Sequence, residues 1–469
     1  MYGIIVIAVY TAIMLGVTLV FSKKAQTAGD FHTADRQLGL WQSGMSIAAT
    51  WIWAPALFTS AEKAYSNGIP GLFWFLVPNV LCLLFFIPFA KRIRERMPKG
   101  VTLSDFMAKT YRSEKVRKIY LGQLSALSVL STGVQLLAGG KILSSITGIP
   151  FFLMTVILAV IAFAYSQFSG IKASVLTDAV QMILMLGACL LFVPWALSME
   201  GGVSNLLQGL GGSTGSYTSL VDANGRAVLF SFGIPTAIGL IAGPFGDQCF
   251  WQRAFSIRKD KIGKAFALGA LLFAVVPLSM GILGYIAAGS GAVITDTGLV
   301  NFQLIDAIFP KWVMVPFLFM VVSGLLSTVD SNLCAAASLT SDYGADLKVS
   351  KISMIALLIL GIGIANIPGL TVTHLFLFYC TLRATTLLPT AMTLMGKKLS
   401  ANGVFFGVLA SFAVGLPIFA YGNLAGIAVW KTVGSLVTVL LSGLMALILT
   451  EFARARSSGG KEAQDDART

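Results

Sequence analysis

The stretch SIAATWIWAPAL, residues 46–57, decides how this chain folds. It lies inside a long apolar segment, 38–66, yet it combines small residues with a proline at position 55. A proline inside a helix removes one backbone hydrogen bond and frees the carbonyls near it. We therefore predict a transmembrane helix that is broken near its middle, with free backbone carbonyls at the break.

A second stretch has the same character. FGIPTAIGLIAGPFGDQ, residues 232–248, lies in another apolar segment, 227–251, and contains two prolines and several glycines. The two segments are five predicted spans apart, and paired broken helices in two five-helix units are typical of inverted-repeat secondary transporters. The alternative is that Pro and Gly are simply common in membrane helices. The matching positions favour a transporter whose site lies at the breaks.

The composition requires a membrane. Of the 469 residues, 56% are hydrophobic and 11% are charged, which is more apolar side chain than a soluble core of this size can bury. Apolar stretches of roughly 20 residues recur along the chain, each long enough to cross a bilayer as a helix. Since these runs are continuous rather than alternating, a β-barrel is excluded. The predicted fold class is all-α and polytopic.

We predict about thirteen spans within a single transporter domain, residues 1–456. The core helices, 38–395, form two inverted repeats, 38–199 and 227–395, and residues 457–469 are expected to be a disordered tail. The spans are 2–22, 38–66, 70–90, 118–146, 150–168, 172–199, 227–251, 263–289, 311–341, 352–369, 373–395, 401–421 and 428–451.

The basic residues predict the orientation. Lys and Arg accumulate on the cytoplasmic side of short loops, and the basic blocks, among them KRIRERMPKG and QRAFSIRKDKIGK, fall on one side if thirteen spans start from outside. We therefore expect a multi-pass protein of the cell membrane, with its N-terminus outside and its C-terminus in the cytoplasm. The formal charge of +13 is then a topology signal and does not indicate nucleic-acid binding.

Several classes of function are excluded or disfavoured. The five cysteines have no paired spacing, so we expect no disulfide and no metal site other than one for sodium. Only two histidines are present, and the chain has no nucleophile motif and no phosphate-binding loop, which argues against an enzyme. The loops are too short for a signalling domain. The expected partners are membrane lipid and a small-molecule substrate.

Three ionisable residues lie at membrane depth: Asp178, Asp330 and Arg383. Each costs about 2.5–3.5 kcal/mol on insertion scales, so each is a functional candidate. Asp178 could be a cation ligand, a proton carrier or a partner of Arg383 or Lys172. We expect Arg383 to pair with Asp330 or Asp178, or to face an anionic substrate.

The ninth predicted span contains GLLSTVDSNLCAAAS, residues 324–338. At helical spacing its small and hydroxyl residues, Gly324, Ser327, Thr328 and Ser331, share one face, with Asp330 at the edge. A small hard cation such as Na⁺ takes about five or six oxygen ligands, which hydroxyls and freed carbonyls can supply. The alternative is a small-residue packing seam. Together with the two broken helices, the stripe favours an ion site.

Aromatic residues flank both breaks. Trp51, Trp53, Trp74 and Phe245 are candidates for a substrate path, together with Arg383. The alternative is that they serve only as packing residues or interface anchors, which is the commoner role of aromatic residues in membrane helices.

Three motifs, in this order along the chain, resemble the sodium/solute symporter family. The first motif, GIKASVLTDAVQ at residues 170–181, is similar to the fifth core helix of the family. The second, GDQCFWQRAF at residues 246–255, is similar to the signature that ends the sixth core helix. The third, LSTVDSN at residues 326–332, is similar to the sodium motif of the family. The resemblance covers nearly the whole chain. It implies the LeuT-type fold, in which two inverted five-helix repeats form the core.

The resemblance also implies a ligand set. It places sodium, the coupling ion, between the backbone carbonyls of Ala49, Ile52 and Gly324 and the hydroxyls of Ser327 and Thr328. Some members bind a further sodium through an aspartate and hydroxyls at the positions of Asp178, Ser327, Asp330 and Ser331. Here a carboxylate, Asp330, replaces one hydroxyl, so Asp178, Asp330 and Ser331 are a possible second cation site.

Within the family, TWIWAPALFTSAEKAYSNGIPGLFWF, residues 50–75, is most similar to the urea-permease branch. We predict a sodium-coupled symporter that imports a small polar solute, with urea as the first candidate. The alternatives are sodium- or proton-coupled symport of a small organic anion or an amino acid such as proline. A membrane sensor or channel is the alternative from a different class.

Overall fold

The computed structural model describes residues 2–21 and 27–466, with side chains for 3–21 and 27–455. The regular structure in these ranges is helical, and the one extended pairing is an isolated parallel bridge between Leu38 and Ile257. The predicted all-α fold class is confirmed.

The first half of the described chain forms ten α-helices, of which α2, α6 and α10 are short connecting helices. The bounds are α1 Tyr2–Phe21, α2 Ala28–Thr33, α3 Leu40–Trp51, α4 Ala54–Leu57, α5 Thr59–Arg96, α6 Leu103–Tyr111, α7 Glu114–Thr147, α8 Phe151–Ser166, α9 Ile171–Ser198 and α10 Gly202–Gln208.

The second half begins with a span in four pieces and ends with two peripheral spans. The bounds are α11 Ala223–Val228, α12 Ile234–Ile241, α13 Gly243–Gly246, α14 Gln248–Ser256, α15 Ile262–Gly289, α16 Val300–Ile308, α17 Met314–Leu339, α18 Leu347–Ala365, α19 Val372–Ala384, α20 Leu387–Leu394, α21 Ala401–Ala410, α22 Leu416–Leu424 and α23 Ala428–Asp466. Two π-helical turns, 229–233 and 411–415, join α11 to α12 and α21 to α22.

Eleven helices among the described residues are long and apolar enough to cross a membrane. Two predicted spans do not correspond to a single long helix: 38–66 is divided among α3, α4 and the start of α5, and 150–168 is the 16-residue α8. The count of thirteen spans therefore stays a prediction. The backbone of α23 is helical to Asp466. The disordered tail predicted from residue 457 lies where no side chains are described, and it also stays a prediction.

The first break lies at Ile52 and Trp53, just before the proline that predicted it. Ile52 leaves the helix with φ −83° and ψ 81°, and Trp53 is extended. Pro55 stands in the first turn of α4, where its missing N–H has no cost, but it cannot donate to the carbonyl of Trp51, four residues earlier. Helix α3 therefore ends at Trp51.

The second break lies in the seventh predicted span and is also confirmed. Helix α12 ends at Ile241, Pro244 is the second residue of the single turn of α13, and Asp247 is extended with φ −117° and ψ 117°. The Asp247 side chain then caps α14 by accepting a 2.9 Å hydrogen bond from the backbone N–H of Cys249. A third interruption, between α19 and α20 after Ala384, was not predicted.

Packing puts the breaks at the centre of the molecule. Helix α15 lies along α5 and α3, and α17 lies between α9 and α7. Nearly every residue of α17 from Phe317 to Leu339 is buried, so its polar stripe faces protein and not lipid. Helices α21 and α22 pack mainly on α23, at one side of this core.

Candidate functional site

The oxygen stripe on α17 lies directly against the break after α3. The Thr328 hydroxyl is 3.2 Å from each of the backbone carbonyl oxygens of Thr50 and Gly324. A Cβ atom on Gly324 would lie 3.2 Å from the Ile52 carbonyl oxygen and 2.9 Å from Leu57 Cδ1. Because glycine lacks this atom, the carbonyls at the break and the hydroxyls of α17 approach one another closely.

A carboxylate adjoins this stripe. Asp178 on α9 accepts a 2.5 Å hydrogen bond from Ser327 Oγ on one oxygen and a 2.6 Å hydrogen bond from Ser46 Oγ on the other. The side chains of all three residues are fully buried. Asp178 therefore joins α9, α17 and α3, and it puts negative charge beside the carbonyls and hydroxyls of the predicted ion site.

Arg253 on α14 enters the same cluster, and the sequence did not identify it. Its guanidinium Nη2 lies 3.0 Å from Asp178 Oδ2, 2.7 Å from Ser331 Oγ and 2.5 Å from Thr50 Oγ1. Its Nε donates a 3.0 Å hydrogen bond to Ser46 Oγ. Arg253 stands next to a run of basic residues, which predicts a place in the cytoplasmic loop, whereas the structure buries it completely.

Asp330 lies beside this cluster and has only hydroxyl partners among the described residues. Ser174 Oγ donates to it at 2.9 Å, Thr177 Oγ1 at 3.3 Å and Ser331 Oγ at 3.4 Å. The three residues of the possible second cation site, Asp178, Asp330 and Ser331, are thus brought together around Arg253.

The predicted ion pairs of Arg383 are wrong. Arg383 pairs with neither Asp178 nor Asp330, because it projects from the last turn of α19 toward the second break and meets Asp247 there. The alternative pairing of Asp178 with Lys172 is also wrong, since Lys172 pairs with Asp30 and Asp35 at the start of α9.

The second polar centre is built around Arg383. Its Nη2 lies 3.0 Å from Asp247 Oδ2, and the hydroxyl of Tyr379 donates a 2.8 Å hydrogen bond to the same oxygen. The guanidinium carbon lies 4.8 Å from the ring centroid of Trp51, 5.4 Å from that of Trp53 and 3.7 Å from that of Tyr379. The charge of Arg383 is therefore balanced by Asp247 and enclosed by aromatic faces.

This centre contains buried donors without an acceptor among the described residues. Arg383 Nε and Nη1, Trp53 Nε1 and Gln135 Nε2 have no hydrogen-bond partner. Gln135 belongs to the break because its Oε1 accepts a 2.8 Å hydrogen bond from the backbone N–H of Ala54. Buried donors normally have acceptors, so this arrangement suits a bound molecule that supplies oxygen atoms.

The structure brings Trp51, Trp53 and Arg383 together but not the other two path candidates. Trp74 lies against Gly233, which belongs to the π-helical turn. Phe245 belongs to an aromatic layer that extends toward the end of α5 carrying the basic residues. Its neighbours there are Phe85, Phe86, Phe89 and Trp251.

A cavity of about 270 Å³ lies at the opposite end of the bundle, where Phe58, Glu62, Lys141 and Thr373 contribute to its lining. Along α19, Arg383 is ten residues further in than Thr373, about 15 Å. Between them, Phe376 packs on Trp53 with ring centroids 5.2 Å apart. The Arg383 centre is thus closed by Phe376 and Trp53 on one side and by the aromatic layer of Phe245 on the other.

Two broken helices enclose a buried polar centre and meet an oxygen-lined helix, which is the architecture of a LeuT-type secondary transporter. The sequence model of the sodium:solute symporter family matches residues 31–361. The chain belongs to that family, as its motifs predicted, and the family consists of transporters and not enzymes.

Individual relatives are distant. The chain is 21% identical to the urea–proton symporter DUR3 of Oryza sativa subsp. japonica, over 93% of this chain and 68% of the relative. It is 22% identical to the sodium/pantothenate symporter of Escherichia coli, over 94% and 95% of the two chains. Among urea-transporter relatives that it matches, the chain covers from 40% to 68% of their length.

The fold has a solved counterpart. A Na⁺-coupled sialic acid symporter, determined in a substrate-bound outward-open state, superposes with a TM-score of 0.78 at 17% sequence identity, over 96% of this chain and 98% of the other. The predicted LeuT-type fold is therefore confirmed.

Proposed function

We propose that this chain is a sodium-coupled symporter that imports a small, neutral, polar solute, with urea as the first candidate. The observation on which this rests is the contact between the two parts of the predicted ion site. Gly324 lets α17 approach the break at Ile52, so that an ion bound there would hold the broken span against α17.

The ion would be bound by the carbonyls of Ala49, Ile52 and Gly324 and the hydroxyls of Ser327 and Thr328. Five oxygens agree with the ligand number that a small hard cation takes. The Asp178 carboxylate, 2.5 Å from Ser327 Oγ, supports a cation there by its charge. An ion that binds the outward-facing state more tightly than the inward-facing state would couple the inward sodium gradient to solute uptake.

The preference for a neutral solute rests on the charge of the Arg383 centre. Asp247 already neutralises Arg383 at 3.0 Å, so a carboxylate substrate would bring an uncompensated negative charge into a buried site. The carbonyl oxygen of urea could accept from the unpartnered Arg383 Nε, from Arg383 Nη1 or from Trp53 Nε1. The urea transporters among the relatives support the same solute.

A small organic anion or an amino acid such as proline is the second candidate substrate. If Asp247 moved away, Arg383 Nη2 would be released, and together with the unpartnered Nη1 or Nε it would form a bidentate pair with a carboxylate. The pantothenate symporter among the relatives supports this substrate class.

A proton is the second candidate for the coupling ion. The observation that favours it is Asp330, a fully buried carboxyl with only hydroxyl partners among the described residues. The rice relative is named as a urea–proton symporter.

We also propose an orientation for this multi-pass membrane protein, with the N-terminus outside and the C-terminus in the cytoplasm. The cavity near Glu62 then opens outward and the aromatic layer of Phe245 closes the cytoplasmic side. The basic residues on α5, such as Arg92 and Arg96, lie on that cytoplasmic side.

Uptake into proteoliposomes tests the function. We expect radiolabelled urea to accumulate when an inward sodium gradient is imposed and not when choline replaces sodium. Proline and small carboxylates should compete weakly. Equilibration without accumulation would indicate a channel, accumulation driven by a pH gradient alone would indicate proton coupling, and accumulation of a carboxylate in place of urea would favour the second substrate class.

A further inference from the structure

Arg253 occupies the middle of a group of oxygen atoms that otherwise looks like a cation site. Its guanidinium Nη2 lies 2.5 Å from Thr50 Oγ1, 2.7 Å from Ser331 Oγ and 3.0 Å from Asp178 Oδ2. Its Nη1 donates a 3.1 Å hydrogen bond to the carbonyl of Cys249 on its own helix. These oxygens come from α3, α9, α14 and α17, so no single helix explains their convergence.

We propose that the guanidinium of Arg253 is the resident cation of this group, and that it takes the space and the charge of a second sodium ion. The chain then binds one sodium, at Ser327 and Thr328, and not two. This inference rests on the proposed function only for the sodium ion at Ser327 and Thr328. The claim about Arg253 concerns the neighbouring cation site, which includes Asp178 and Ser331.

The charges in the cluster support one sodium. Asp178 and Asp330 are both fully buried, and Arg253 is the one cationic side chain in contact with either of them among the described residues. With both carboxylates ionised, the cluster keeps one negative charge in excess. A single sodium beside Ser327 balances it, whereas a second sodium would leave a positive excess in a buried site.

The tethered position of the charge explains why a second ion would not displace it. Arg253 makes five hydrogen bonds, and a guanidinium stays charged at any physiological pH. To bind here, a free sodium ion would have to lose its hydration water. It would also have to push the Arg253 guanidinium out of its hydrogen bonds and into the surrounding packed side chains. A glutamine at 253 would keep polar contacts but remove the charge, and so would open the site.

Binding of ²²Na⁺ to the purified protein at equilibrium measures the number of ions without any need for a transported substrate. We expect one sodium per wild-type chain, two per Arg253→Gln chain and one per Arg253→Lys chain, because lysine restores a tethered cation. Arg258→Gln is the matched control, since Arg258 follows α14 closely, is half exposed and pairs with Asp260. It should bind one sodium.

A second substitution keeps the test decisive if Arg253→Gln is unstable without sodium. In Arg253→Gln combined with Asp330→Asn, one carboxylate is removed with the cation, so the number of bound sodium ions should return to one. The melting temperature of Arg253→Gln should also rise more steeply with sodium concentration than that of the wild type, since ions that bind the folded state stabilise it.

The outcomes separate this inference from the proposed function. Two sodium ions on the wild type, or one on a folded Arg253→Gln chain, would overturn the role of Arg253. No sodium on the wild type but one on Arg253→Gln would refute the Ser327 and Thr328 site while supporting Arg253 as the built-in cation. No sodium on either chain would overturn both.

Discussion

The hydroxyl of Ser327 donates a 2.5 Å hydrogen bond to the carboxylate of Asp178, and this contact links α17 to α9 beside the break that follows α3. A cation next to Ser327 would therefore act on three helices at once. It would attract the carboxylate of α9, the hydroxyls of α17 and the backbone carbonyls at the break. This arrangement gives the proposed ion site a direct mechanical connection to the helices that must move during transport.

Ser327→Ala and Thr328→Ala should each raise the sodium concentration for half-maximal uptake by about tenfold or more, since losing one ligand of about 1.4 kcal/mol corresponds to that factor. Sodium titration of solute uptake measures the effect. Ser128→Ala is a matched control, because Ser128 is a buried helical serine whose one side-chain partner among the described residues is the Leu124 carbonyl of its own helix. Unchanged sodium dependence in both site variants would refute the ion site.

Gly324→Ala should weaken sodium binding while the protein still folds. The added Cβ would lie 2.9 Å from Leu57 Cδ1 and 3.2 Å from the Ile52 carbonyl oxygen, so α17 would be pushed away from the break. The same sodium titration reports it, with an expected shift in half-maximal concentration of about tenfold. In Gly363→Ala the Cβ meets no atom of the described residues within 4 Å, and this control should leave sodium affinity unchanged. If Gly324→Ala shows the sodium titration of the wild type, sodium binding does not require the close approach of α17 to the break at Ile52.

Breaking the Arg383–Asp247 pair should destabilise the protein and change its selectivity. Removal of one partner of a buried ion pair costs about 3–5 kcal/mol, whereas removal of both costs less. We therefore expect lower melting temperatures for Arg383→Gln and Asp247→Asn than for the double variant. In Asp247→Asn the uncompensated guanidinium should also bind carboxylates better than urea. Competition of carboxylates with labelled urea measures this, and an unchanged preference would contradict a neutral Arg383 centre.

The sequence predicted those features that local chemistry determines. Pro55 and the Pro244–Gly246 region indicated both breaks, and the spacing of Gly324, Ser327 and Thr328 indicated the oxygen stripe, because each effect depends on residues close together in the chain. The partners of charged side chains could not be predicted in this way. Arg253 lies 75 residues from Asp178 and Arg383 lies 136 from Asp247, so their pairing depends on how the two repeats pack.

Some signals for the missed residues were present. Asp247 and Arg253 both lie in GDQCFWQRAF, directly after the glycines and proline of the second break. The pattern of basic residues nevertheless predicts a cytoplasmic position for Arg253, because it precedes Arg258 and Lys259 along the chain. Every residue of α14 is buried, whereas Arg258 and Lys259 are exposed, and periodicity alone gives no information on where the burial ends.

The labelling of introduced cysteines should show whether the path from the outer cavity to the Arg383 centre is closed. All five native cysteines are buried, so labelling by a membrane-impermeant thiol reagent starts from a low background. Thr297→Cys, at an exposed residue that lines the cavity, should react from outside the cell, which also tests the proposed orientation. Gln135→Cys should be protected, and Phe376→Ala should expose it because Phe376 packs on Trp53 above the Arg383 centre. Rapid labelling of Gln135→Cys without Phe376→Ala would show that this pair does not close the path.

His32 should make the stability of the protein depend on pH. It lies on α2, outside the candidate spans, with its Nε2 3.1 Å from Ser350 Oγ and its backbone carbonyl accepting from Gln252 Nε2 at 2.8 Å. Burial lowers the pKa of His32 from 6.5 to about 4. Because the folded state binds the proton more weakly than the unfolded state, the contribution of neutral His32 is fully present above pH 6.5.

This contribution is lost as the pH falls from 6.5 toward 4, and over that range it amounts to roughly 3 kcal/mol. The melting temperature of the purified protein, measured across that interval, should therefore fall with pH. His32→Gln, which cannot be protonated, should show a shallower fall, whereas His374→Gln serves as the control because it removes the only other histidine. If His32→Gln follows the wild-type curve, the loss of stability in acid comes from other groups and α2 is not held in place by a neutral His32.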